Sequence, residues 1–380
     1  MTVRREIVRL RGRNRHLAAG AAAVVALAVV ATAPASATTA EDHPATQAKL
    51  DAYAKAGGPG TTVAAGNASG SWVLTKGTGV TGANKPIQPN EHFRAGSQTK
   101  TFTVAVVMQL VDEGKINLDS SIESYLPGLV QGNGYDGNKI TVRQLLQHTS
   151  GIPTYPANTK PGPDGTYTNE QLVRAALAQT PWFAPGTDWK YSNTGLVLAS
   201  MVIEKITGQT VGDAITSRLI QPLGLTGTRF PKPGDKTVGA PAVHGYNWLY
   251  VYWKDVSNSS EPSGYSGAGA LISTLDDLMK FDQALADGKV VSAASLAQMR
   301  TTYDAKPTFY DGYGLGLMRL KLSCGGEAWG HAGDVTGYTT LTMATDDGRH
   351  ASIVTNRYVS TAPATSRQHV IDAALCEAGQ

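Results

Sequence analysis

The sequence predicts an α/β (α+β) protein: an antiparallel sheet built from both chain ends, flanked by helices, with an inserted and mostly helical lobe. Three observations predict it. Strand-like stretches bounded by glycine and asparagine occur just after residue 60 and again beyond residue 312. Between them, segment after segment carries apolar residues at helical spacing. The chain left after an N-terminal leader, about 340 residues without a fixed-period repeat, is long enough for one large core or two intimate lobes. The sheet lobe is expected at about 38–92 and 306–380, and the helical lobe at about 93–305.

The leader comes first. Arg4, Arg5, Arg9, Arg11, Arg13 and Arg15 form a basic head, "LAAGAAAVVALAVVATA" an apolar run, and Ala35-Ser36-Ala37 a small-residue cleavage site. That order predicts a secretory signal peptide over 1–37, with an uncleaved anchor as the alternative. No later stretch has the roughly 18 apolar residues a spanning helix needs. A secreted protein without a stable membrane anchor is expected. The formal charge of +3 owes much to the basic head, so the remaining chain is near neutral. No basic stripe points to nucleic acid.

A helix is expected in "HPATQAKLDAYAKAG", then two strands, "GTTVAAG" and "SGSWVLTKGTGV", around a turn at Gly66-Asn67. "SQTKTFTVAVVMQLVDEG" is apolar almost all round and stops at Gly114, which marks a buried helix. Further helices fall in "TVRQLLQH", "TNEQLVRAALAQT", "NTGLVLASMVIEKITG", "VGDAITSRLIQPL", "STLDDLMKFDQALADG" and "SAASLAQM". Thr168 and Ser273 suit N-caps, and Gly208 and Gly288 suit stops. Strand character returns at "YGLGLMRLKL". "GYTTLTMATDDGRHASIVTNRY" forms a hairpin turning at Asp346-Asp347-Gly348, and "TSRQHVIDAALCEA" is a closing helix. Cys324 and Cys376 are the only cysteines. In a secreted chain such a pair forms one disulfide most simply, with two free thiols as the alternative. Closing a loop of this size contributes about 4 kcal/mol in the chain-entropy model.

The chemistry starts with Ser97 and Lys100. Three residues apart on a helix, they share a face, so the serine hydroxyl and the lysine ammonium can meet. Lysine is rarely buried without a partner, but a desolvated lysine has a lowered pKa and can take a serine proton. The helix N-terminus adds N–H groups suited to an oxyanion. Alone, the spacing is a weak signal. "WKYSNTG", with Tyr191 and Asn193, and "WGHAGDVTGY", with His331 and Gly333, make it specific.

The ordered set Ser97-Gln98-Thr99-Lys100, Tyr191-Ser192-Asn193 and His331-Ala332-Gly333 resembles the three motifs of the serine β-lactamase and penicillin-binding protein hydrolases. Tyrosine in the second motif and histidine in the third are similar to the secreted D-alanyl-D-alanine carboxypeptidase branch of actinobacteria. Class C β-lactamases and family esterases are more distant. "ITVRQLLQHTSGI", "YSNTGLVLASMVIEKITG" and "GYGLGLM" extend the resemblance over nearly all of the chain after the leader. It implies that Ser97 is the acylated nucleophile and that Lys100 and Tyr191 share general-base and general-acid duty, in an order left open. It implies that Asn193 holds the substrate amide and braces Lys100, and that His331 assists the leaving group and fixes Tyr191. The backbone N–H groups of Ser97 and Asp334 would form the oxyanion hole, beside Gly333, and Cys324 and Cys376 would be joined. His148 in "LLQHTSGI" is taken as structural.

Two departures stand out. The branch clamps a terminal carboxylate with an arginine six residues before the first cysteine and threonines flanking the third-motif glycine. Here those positions are Met318, Ala332 and Asp334. Asp334 would repel a carboxylate by about 4 kcal/mol at ~4 Å and an effective dielectric near ~20, unless it faces solvent or pairs with a lysine. Arg319 should point to the opposite face. In "HGYNWLYVYW", Tyr246, Trp248, Tyr250 and Tyr252 alternate and would share one strand face. Trp248 is then either substrate-binding, in an aromatic wall, or part of an edge hairpin.

The expected activity is serine-type D-Ala-D-Ala carboxypeptidase-like cleavage of D-amino-acid peptides or esters, by a monomer that β-lactams acylate. An esterase, a D-amino-acid amidase or aminopeptidase, and a non-catalytic β-lactam or muropeptide sensor are the alternatives. No cofactor is expected. There is no H-E-x-x-H, and His92, His244, His350 and His369 are scattered, so no metal is expected either.

Overall fold

The computed structural model describes residues 42–55, 57–303, 310–359 and 366–379. The expected signal peptide lies outside them. The opening helix α1 (Pro44–Ala54) leads into β1 (Gly60–Asn67) and β2 (Gly70–Gly77). Their two-residue turn is Ala68-Ser69 rather than Gly66-Asn67, because Asn67 Oδ1 accepts from Ser69 N–H at 2.7 Å and carries the strand through Asn67.

The middle of the chain is helical. It contains α2 (Thr99–Asp112), α3 (Val142–Gln147), α4 (Asn169–Leu177), α5 (Asn193–Thr207), α6 (Val211–Ile215) and α7 (Gln221–Leu223). Helices α8 (Leu275–Ala286) and α9 (Ala293–Arg300) follow. Thr168 caps α4 as expected; Thr274, not Ser273, caps α8. Short pairs stitch the lobe: β3 (Phe93–Arg94) with β8 (Ile272–Ser273), β4 (Gln131–Gly132) with β5 (Tyr135–Asp136), and β6 (Tyr246–Leu249) with β7 (Tyr252–Asp255).

The last part of the chain adds β9 (Gly312–Tyr313), β10 (Met318–Lys321), β11 (Glu327–Val335), β12 (Tyr338–Ala344), β13 (His350–Thr355) and α10 (Arg367–Glu377). The main sheet runs β2-β1-β13-β12-β11-β10-β9, every neighbouring pair antiparallel. Thus β1 from one end of the chain is hydrogen-bonded to β13 from the other. Side chains alternate: Val63 and Ala65 join Leu341 and Ile353 beneath α1 and α10, while Ala64 and Val354 face the helical core. Both faces are buried, which is why β12 contains seven buried residues in a row. Cys324 and Cys376 form the disulfide, Cα atoms 5.8 Å apart, and tie the β10–β11 turn to α10.

Candidate active site

A three-residue 3₁₀ turn, Gly96–Gln98, brings Ser97 to the head of α2. Gly96 adopts φ +56°, and a Cβ there would stand 3.0 Å from Asp334 N, so a residue without a side chain lets the turn lie against β11. Thr99 Oγ1 donates to Gly96 O at 2.7 Å and accepts from Leu271 N–H, fixing the turn to the helical lobe. Gln98 Nε2 donates to Thr340 Oγ1 at 2.7 Å, fixing it to β12.

Behind the turn, α2 is buried on almost every side, and Lys100 has no exposed surface. Its Nζ lies 3.0 Å from Ser97 Oγ and donates to Ala268 O at 2.7 Å. The Tyr191 ring centroid is 4.8 Å away. Desolvation by burial drives the Lys100 pKa far below that of an ordinary lysine. Burial moves the Tyr191 phenol the other way, well up, against the pull of its hydrogen bond with Ser97. The resting pair is therefore a readily deprotonated amine beside a firmly protonated phenol.

Tyr191 and Asn193 enter on the strand-like approach to α5 and on its first residue. Asn193 Oδ1 is buried without a hydrogen bond. The approach rests on His148, which ends α3 in the left-handed conformation (φ +65°) and accepts from Ser192 N–H through Nδ1 at 3.3 Å. Its ring lies against Tyr191, centroids 4.4 Å apart. This geometry is that of a turn organiser.

On β11, His331 Nδ1 faces the Ala332 carbonyl at 2.5 Å, so Nδ1 carries the proton and Nε2 accepts from the Tyr313 hydroxyl at 3.0 Å. Burial, with Lys100 adding to it, pushes the His331 pKa down to about 3, which keeps the ring neutral. The expected direct hold of His331 on Tyr191 is not the contact found. Nε2 is occupied by Tyr313, and the His331 and Tyr191 centroids are 6.3 Å apart. A Cβ at Gly333 would overlap the Ala95 carbonyl, which explains a glycine at that point of the third motif.

A cleft of about 580 Å³ joins Ser97, Tyr191, Asn193, Tyr313, Met318, Ala332 and Asp334. Asp334 does line it, but not as a bare carboxylate. Arg367, the first residue of α10, donates two hydrogen bonds of 2.7 Å to its two oxygens and a third to Gly333 O. The repulsion expected from Asp334 is therefore largely cancelled, and its partner is an arginine rather than a lysine. Burial opposes the Arg367 charge, yet Tyr310 and Asp334 outweigh it and raise the pKa. Sequence reasoning missed Arg367 because its partner is 33 residues away, and missed Tyr313 because the pairing with His331 is formed by strand register. Trp189 and Tyr310, which also line the cleft, had no signal.

Trp248 is a correction. It is not among the residues that line the cleft; it is 47% exposed on the β6–β7 hairpin, packed edge-on against Trp253. The four alternating aromatics do not share a face, because the chain reverses at Tyr250 (φ +56°) and Val251. Among the described residues, no cluster of His, Cys, Asp and Glu could hold a metal, and no helix is long and apolar enough to cross a membrane.

The family model described as "Beta-lactamase" matches residues 46–375. The chain is 28% identical to Penicillin-binding protein 4* of Bacillus subtilis over 71% of its own length, and spans 61% of that relative. Among solved structures, a D-stereospecific amidohydrolase from Streptomyces sp. is 40% identical, covering 88% of this chain and 98% of that one, with a TM-score of 0.79. The D-amino acid amidase of Ochrobactrum anthropi SV3, complexed with L-phenylalanine amide, is 25% identical, covering 89% and 98%, with a TM-score of 0.78.

Proposed function

The chain belongs to the β-lactamase family, a serine hydrolase of the penicillin-binding fold, and from that premise we propose that it cleaves D-amino-acid amides and peptides whose leaving side lacks a free carboxylate. The observation that carries this reading is the Asp334–Arg367 pair in the cleft. A terminal carboxylate needs an available cation, and here the arginine is already bound bidentately to Asp334. Met318 and Ala332 carry no charge. Lys190, which also lines the cleft, has its ammonium 4.0 Å from the centroid of the Trp182 ring. The 40% identity to a D-stereospecific amidohydrolase supports the same substrate class.

In this reading Lys100, its pKa lowered by burial, is the base and Tyr191, its phenol held protonated, the acid. Ser97 Oγ attacks the carbonyl carbon as its proton passes to Lys100 Nζ. The carbonyl electron pair shifts to oxygen, towards the N–H groups of Ser97 and Asp334. The C–N bond then breaks. The departing nitrogen takes a proton from Tyr191, which is resupplied by Lys100. Water repeats the sequence on the ester, releasing the D-amino acid and free Ser97. The protein would act outside the cytoplasmic membrane, as a monomer, and β-lactams would acylate the same serine.

The test is the ratio of kcat/KM for a D-peptide amide to its free acid. The wild type should favour the amide. Asp334→Thr releases Arg367 to meet a carboxylate, so the ratio should fall about tenfold or more towards the acid, the scale of one charge-assisted contact. A wild type that prefers the free acid would return the carboxypeptidase reading.

A further inference from the structure

A second hollow, of about 510 Å³, meets the catalytic cleft at Asn193, which lines both. Asp334, Arg367 and Met318 line the first and not the second. With the leaving group placed beside them, as in the amide-hydrolase reading, the second hollow is left for the acyl donor. Of the residues that line it, Glu261 alone is charged, among tyrosines 155, 167 and 265. The Tyr155 hydroxyl donates to Gly264 O at 2.8 Å and the Tyr167 hydroxyl to Thr159 O at 3.3 Å, so those protons are turned into the protein.

The carboxylate of Glu261 is divided. Oε1 accepts from Gly234 N–H at 2.9 Å, from Ser263 N–H at 3.3 Å and from the Ser263 hydroxyl at 2.7 Å. Oε2 is buried and accepts no hydrogen bond; the nearest cation is Lys236 Nζ at 3.9 Å, on a side chain that is 46% exposed. A buried carboxylate oxygen without a donor is costly and uncommon. An acid with spare accepting capacity, set among aromatic rings, has the chemistry of an ammonium site.

We propose that this acyl-side pocket binds a primary ammonium group of the acyl donor against Glu261, making Glu261 a specificity-determining residue. The proposal rests on the amide-hydrolase reading above and names the donor that reading leaves open. The ammonium has two possible sources, the donor's α-amine or a basic side chain, and both present the same –NH₃⁺.

Two substrate pairs separate the sources: D-phenylalanine amide with its N-acetyl derivative, and N-acetyl-D-lysine amide with N-acetyl-D-norleucine amide. The amine-bearing member of at least one pair should be favoured in kcat/KM by about tenfold or more. Glu261→Gln should collapse that ratio towards one. Lys236→Ala, which removes the competing cation and leaves the capping contacts of Glu261 intact, should raise it, and this variant decides the matter if Glu261→Gln does not fold. Ratios that stay unchanged in the variants, whether both members fall together or neither does, would make Glu261 a loop staple and overturn the proposal. Turnover of the neutral amides with wild-type ratios near one would overturn it while leaving amide hydrolysis standing. Absence of turnover with all four would remove both.

Discussion

Lys100 has no exposed surface and two polar neighbours within reach, so its charge state decides what it can do. A lysine with a pKa depressed by burial is protonated only on the acid side of that value, and protonated it cannot accept the Ser97 proton. The rate of acylation should therefore rise with pH as Lys100 deprotonates and then level off. His331, held near 3, is neutral at any pH well above that value and adds no limb of its own there. Lys100→Ala should abolish the limb, and Lys100→Ala and Tyr191→Phe should each slow acylation by about 100- to 10,000-fold. Stopped-flow acylation across pH, with circular dichroism to check folding, measures both; near wild-type rates in either variant would break the assignment. At this scale the three motifs were legible because their chemistry is carried by residue type at short spacing. Arg367 and Tyr313 were not, since neither is near its partner in the chain.

The elements matter through how closely they approach. The Ser97 turn lies against β11 because Gly333 leaves room for the Ala95 carbonyl and Thr340 Oγ1, both of which a Cβ would overlap. Backbone cannot swing aside as a flexible side chain can, so Gly333→Ala should push the turn away from β11 and misplace both proposed oxyanion donors, the N–H groups of Ser97 and Asp334. Acylation should fall by about 100-fold or more, the usual size of losing one such donor, and the melting temperature should drop with it. An alanine variant with wild-type acylation would show that the approach has slack. Helix α2 was legible from its all-apolar pattern, and α4 from its apolar spacing and the N-cap Thr168. The β6–β7 hairpin was not: alternation over Tyr246–Tyr252 fits one strand equally well, and only the left-handed Tyr250 reveals the reversal.

At the scale of the molecule, the sheet from both termini and the helices between were predictable from the order of periodicities, since strands at the two ends must pair to bury both faces. What the pattern concealed is the charge inside. Asp282, on α8 where it packs on the sheet, is buried with Oδ2 unpartnered, and desolvation raises its pKa well above the ordinary value of 3.8. Below that value both folded and unfolded states hold the proton. Above it the unfolded chain ionises while the folded one does not, so stability is lost as pH rises towards the folded pKa. Asp282→Asn removes this loss, and its melting temperature relative to wild type should climb as pH rises above about 4. A difference independent of pH would contradict the burial argument.

The central claim is a covalent acyl-enzyme on Ser97, assisted by the desolvated Lys100 at 3.0 Å. Intact-mass spectrometry of the protein quenched in acid during reaction with a penicillin or a D-aminoacyl ester tests it most directly, followed by peptide mapping. The account predicts one added acyl mass, on Ser97, absent from Ser97→Ala. An adduct on another residue, or turnover that persists in Ser97→Ala, would contradict it.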